Sequence, residues 1–187
     1  MNRRTTTPTN NFNHSITTMQ TTVKLYSPSY GEAKTYLAAA LFAAGNILLP
    51  QLFHAVRLGG PTWLPIYFFT LAAAYKYGWR TGLLTAVASP AASALFFGMP
   101  AAAALPVLLL KSVLLAGAAG YAAARYRRAS LGLLAAVVLF YQAVGMLGEW
   151  ALGGSLHAAA QALRIGLPGM LLQIFGGWAF INFVIRK

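Results

Sequence analysis

The chain has 187 residues, 58% hydrophobic and 9% charged, with fourteen Lys or Arg against two Asp or Glu and a formal net charge of +12. A soluble domain carries about 25% charged residues, so this composition, with a mean hydropathy of +0.62, excludes an ordinary water-soluble globule and points to lipid as the main solvent. No cysteine is present, which removes disulfides, thiolate metal sites and thiol nucleophiles together. The two acids, Glu32 and Glu149, are far apart in the chain, so no paired-carboxylate centre is expected. His14, His54 and His157 show no metal-ligand spacing and no Walker-type glycine loop occurs. The reading is therefore a protein that is not an enzyme, binds no metal and uses no cofactor.

Residues 1–33 are rich in Thr, Asn and Ser without a period of 2 or 3.6, and read as a disordered cytoplasmic tail. Arg3 and Arg4 are followed by no apolar h-region, so the tail is not a twin-arginine signal. Met19 is a second candidate translation start. From residue 34 to 187 apolar runs alternate with Lys/Arg, Gly and Pro. Crossing about 30 Å of hydrocarbon takes roughly 20 apolar residues, and six spans are expected, near 34–55, 63–77, 79–97, 103–124, 130–152 and 165–185. The uncharged run 81–110 is too long for one span, and Gly98-Met99-Pro100 divides it.

The charge positions set an orientation. With the N-terminus inside, Arg3, Arg4, Lys24, Lys34, Lys76, Arg80, Arg125, Arg127, Arg128, Arg186 and Lys187 all fall on the inner side, eleven of the fourteen basic residues. This is the positive-inside pattern with both termini cytoplasmic. The basic residues border the spans and form no stripe with stacking aromatics, so nucleic acid is not an expected partner.

Arg57, Lys111 and Arg164 remain, and Lys111 lies within the fourth span. A central Lys costs about 2.5–3.5 kcal/mol on insertion scales, which makes it a functional candidate. Gln142 and Gln173 stand at comparable depth on the fifth and sixth spans. Gln142, Gly145 and Glu149 repeat at i, i+3 and i+7, as do Gly166, Gly169 and Gln173, so each set shares a helix face. Gln51, His54, Arg57, Trp63, Trp150 and Arg164 are placed at the outer mouth. A polar cavity open to the outside is expected, with a Lys that favours an anionic or carbonyl-bearing group; with Glu149 and Arg164 at the rim, a zwitterion or carboxylated heterocycle fits. In the alternative reading Lys111 pairs with Glu149 to neutralise a buried charge, and the glutamines make interhelical bonds. On the first span Ala39 with Ala43, and Ala40 with Ala44, form small-xxx-small strips suited to close helix approach.

The region from Tyr36 to Lys187 resembles the substrate-binding S components of energy-coupling factor (ECF) transporters. The resemblance rests on six short spans, the AxxxA strip, the run Gly60-Pro61-Thr62-Trp63-Leu64-Pro65-Ile66-Tyr67, and Gly78, Gly82, Ser89-Pro90 and Gly98-Met99-Pro100. It implies an all-α, six-helix bundle in a bacterial or archaeal cytoplasmic membrane that binds a vitamin or precursor in its outer half. It implies docking through Ala39, Ala43, Ala40 and Ala44 onto a transmembrane coupling subunit that carries two ATPases. Lys111, Gln142, Glu149, Arg164, Gln173, His54, Gln51 and Trp63 are the candidate pocket residues. A stand-alone transporter or channel is disfavoured by the lack of intramembrane acids and of an inverted repeat, and a ligand-free assembly subunit is the other alternative.

Overall fold

A computed structural model describes residues 28–55, 65–152 and 155–184. The order is α1 (Ala33–Ala55), a 3-10 turn (Pro65–Tyr67), α2 (Phe68–Phe97), α3 (Leu105–Tyr126), α4 (Leu131–Ala151), α5 (Leu156–Ile165) and α6 (Leu167–Val184). The described residues contain helices and no strand. Among the described residues, four segments are long and apolar enough to cross a membrane: Ala33–Gln51 within α1, then α3, α4 and α6. Leu37, Leu41, Leu95, Phe96, Tyr121 and Phe183 are at least two-thirds exposed on the bundle's outside, a surface suited to hydrocarbon rather than water.

The expected second and third spans are the two arms of α2. Gly78 interrupts the helix with φ 85 and ψ 171, a conformation that glycine adopts without Cβ strain. A Cβ at Gly82 would collide with Ala74, eight residues back. Along a straight helix these residues would stand about 12 Å apart, so the chain folds back on itself at Gly78 and the arms pack side by side. Gly120 of α3 lies against Trp79, where an added Cβ would stand 2.6 Å from the Trp79 Cβ. Small residues at both places let backbones approach closely. The second arm ends at Gly98, which is left-handed at φ 65 and donates its N–H to the Ala94 carbonyl; the division expected at Gly98-Met99-Pro100 therefore has a helix terminus as its cause.

The core lies between α2, α3, α4 and α6, where Leu71, Leu115, Leu134, Val138, Tyr141 and Ile181 are fully buried. Helix α1 joins it through Phe42, which packs on Ala72 and Ala73. A second tie is polar. Asn46 donates through Nδ2 to Thr70 Oγ1 at 2.8 Å and Ser89 Oγ at 3.2 Å, and its Oδ1 accepts from the Phe69 N–H at 3.0 Å. Ser89 and Thr85 donate to carbonyls four residues back, and Thr85 also reaches the Ala39 carbonyl. Phe69 lies in the first turn of α2, so Asn46 also supplies an acceptor to one of its otherwise unpaired N–H groups.

One end of the bundle collects several of the described basic residues. Tyr30 packs edge-on against Trp79, with the Arg80 guanidinium over both rings. The Tyr75 hydroxyl donates to the Arg128 carbonyl and Asn182 donates to the Ala129 carbonyl. The α2 vertex, the α3–α4 connection and the last turns of α6 therefore meet at the end that holds Lys76, Arg80, Arg125, Arg127 and Arg128, the group expected to share one side. Lys76 is 1% exposed, deeper than a border residue is expected to be. Residues 28–32, at the edge of the segment read as a tail, fold onto α1, with the Thr35 hydroxyl donating to the Ser29 carbonyl at 2.6 Å. Residues 1–27, including Met19, lie outside the described residues.

Candidate functional site

The opposite half of the bundle holds a polar cluster built from three helices and the 3-10 turn. Pro106 opens α3 within its first turn, where a missing N–H costs nothing. About one turn further on stands Lys111. The Ser130 hydroxyl accepts from the Leu133 N–H and caps α4, whose inward face then carries Tyr141, Gln142, Gly145 and Glu149. Lys111 Nζ donates to Glu149 Oε2 at 2.7 Å, with the two side chains 12% and 23% exposed. A Cβ at position 145 would stand 2.5 Å from Lys111 Cγ, so Gly145 provides the space that the lysine stem occupies. Gly148 does the same for Leu110.

Beneath the ion pair the cluster is uncharged. The Tyr141 hydroxyl donates to Gln173 Oε1 at 2.9 Å. The Tyr67 ring lies 5.6 Å from that of Tyr141, centroid to centroid. Gln173 is fully buried and Tyr67 is 1% exposed. Gln173 Nε2 and Tyr67 Oη are buried and have no hydrogen-bond partner among the described residues; Ser112 Oγ, on the residue after Lys111, is in the same condition. Each such group costs about 1–3 kcal/mol if nothing satisfies it. Gln173 also sits in a π-helical segment, Leu172–Gly176, and such local widening of a helix is frequent at functional sites.

Four of the expected pocket residues thus come from the elements foreseen: Lys111 and Glu149 are in contact, Gln142 is buried at 5% exposure on the same helix as Glu149, and Gln173 lies below. Arg164 is exposed in the last turn of α5, an amphipathic helix that the sequence reading did not anticipate; Trp150 is 55% exposed and Gln51 half-buried. Trp63, Arg57 and the His54 side chain lie outside the described residues. The two alanine strips separate: Ala39 and Ala43 are buried within the bundle, while Ala40 and Ala44 remain exposed beside Leu37 and Leu41. Tyr67, Tyr141 and Ser112 were missed, although Tyr141, Gly145 and Glu149 repeat at i, i+4 and i+8 and lie on the face already identified.

Among the described residues no group of three His, Cys, Asp or Glu is placed to hold a metal ion. The arrangement is an ion pair next to buried hydrogen-bond donors. Comparison with protein-family models, with curated proteins and with solved structures finds no match.

Proposed function

We propose that this chain is the membrane-embedded substrate-binding subunit, or S component, of an ECF-type importer. It captures a small micronutrient at the outer face and delivers it by docking on a transmembrane coupling subunit with two ATPases. The reading places six short spans in a bacterial or archaeal cytoplasmic membrane, the two arms of α2 being the second and third, and puts the basic end in the cytoplasm. One observation carries it: a buried polar cluster drawn from α3, α4, α6 and the turn before α2, with hydrogen-bonding groups left open, set in a bundle containing four membrane-length helices. Ionisable groups within a membrane are costly and are functional candidates by default, and Lys111 and Glu149 belong to this cluster.

The 2.7 Å ion pair favours the second reading, a ligand-free assembly subunit in which Lys111 and Glu149 only neutralise each other. The open donors of Tyr67 and Gln173 weigh against it. Purification of the tagged chain from its native membranes separates the readings. The S component brings down a transmembrane partner, two ATPases and a retained small molecule; a stand-alone transporter retains the molecule without ATPases, and an assembly subunit lacks the molecule. Because Ala39 and Ala43 face inward, docking falls to Ala40 and Ala44. Replacing both with Trp is expected to stop uptake while the isolated protein still binds; uptake at the normal rate would remove the docking assignment.

A further inference from the structure

The cluster's donors and acceptors can be counted one by one. Gln173 uses its carbonyl oxygen to accept from Tyr141, which leaves its two amide N–H donors open. Tyr141 has its proton engaged in that bond. Tyr67 keeps its O–H free for a bond. Above them the Lys111 ammonium and the Glu149 carboxylate cancel at 2.7 Å. The open groups at the bottom are therefore neutral donors, and no net positive charge stands over them.

Resting on the reading of this cluster as the substrate site, we propose that Tyr67 and Gln173 receive an uncharged hydrogen-bond acceptor, a ring or amide carbonyl. The substrate is then a neutral heterocycle or carboxamide rather than an anion. A carbonyl oxygen has two lone pairs, which suit one N–H and one O–H donor. An anion taken to this depth loses its hydration without gaining a countercharge, and Glu149 repels it. The anion preference expected from Lys111 alone is reversed because its charge is already matched. Tyr67 and Tyr141 supply aromatic surface next to the donors.

The test uses the purified full-length protein in nanodiscs and three matched probe pairs: nicotinamide and nicotinate, uracil and orotate, benzamide and benzoate. Calorimetric titration is expected to show binding of at least one uncharged member, with its anionic counterpart at least about tenfold weaker. Gln173→Leu and Tyr67→Phe are each expected to weaken that binding about tenfold, the loss of one hydrogen bond. Tyr67→Phe removes a single oxygen and keeps the ring, so unchanged circular dichroism and melting in that variant separate lost recognition from lost folding. The proposal is overturned by tighter or equal binding of the anion, by failure of all three uncharged probes, or by affinity that survives both substitutions. The last outcome would mean that a buried water satisfies the donors. If ATPases still co-purify while the bound species is anionic, this inference alone fails; if neither ATPases nor ligand is found, the transporter reading fails with it.

Discussion

Among the described residues, the buried polar cluster around Asn46 and the one around Gln173 close differently. In the knot around Asn46, the amide oxygen and nitrogen, the Thr70 and Ser89 hydroxyls and the Phe69 N–H are joined within one network linking α1 to both arms of α2. In the cluster around Gln173, the amide oxygen is engaged while the amide nitrogen and the Tyr67 hydroxyl are buried without a hydrogen-bond partner among the described residues. A closed network fixes helix positions and is complete without a visitor. An open one of the same depth carries unpaired polar groups at a cost in stability.

Breaking the ion pair above the open cluster should have the largest effect. Lys111→Met leaves the Glu149 carboxylate unpaired, and the expected loss is about 3 kcal/mol, the lower end for buried pairs because Glu149 keeps partial exposure. Adding Glu149→Gln should recover most of it in a denaturation series. Next comes Asn46→Ala, which strips three hydrogen bonds from the closed knot and is expected to cost about 2–3 kcal/mol while leaving ligand affinity unchanged. Gly145→Ala forces the Lys111 stem aside and should cost about 1–2 kcal/mol and weaken binding, as read by titration. Gln173→Leu should be the mildest for stability, about 1 kcal/mol, because removing the orphaned amide nitrogen offsets part of the cost of leaving the buried Tyr141 hydroxyl without its acceptor, and it should weaken binding about tenfold. The contrast between the clusters collapses if Asn46→Ala destroys binding or if Gln173→Leu unfolds the protein.

Much of this was legible in the residues. Apolar run lengths located α1, α3, α4 and α6 within a few residues, and the Gly and Pro positions marked the breaks at Gly78 and Gly98. The i, i+3, i+7 spacing put Gln142, Gly145 and Glu149 on one buried face, and the scarcity of acids made Glu149 the evident partner for Lys111. Other features depend on contacts that no local pattern encodes. Asn46 sits in a continuous apolar helix and gains meaning only when Thr70 and Ser89 come from two arms that fold back on each other. Tyr67 and Tyr141 looked like ordinary apolar-run aromatics, and their hydroxyls become informative only once Gln173 is seen to engage one and not the other. The strips on α1 had the same spacing, so sequence alone did not distinguish the inward Ala39 and Ala43 from the outward Ala40 and Ala44. Helix α5 was passed over because ten residues are too short to span a membrane.

Native mass spectrometry of the protein released from its own membranes puts the substrate-binding claim to the most direct test. One small molecule per chain is expected, retained by the parent and by Asn46→Ala and absent from a Tyr67→Phe, Gln173→Leu double variant that folds normally. A parent chain that carries nothing, or a double variant that carries the same molecule, contradicts it.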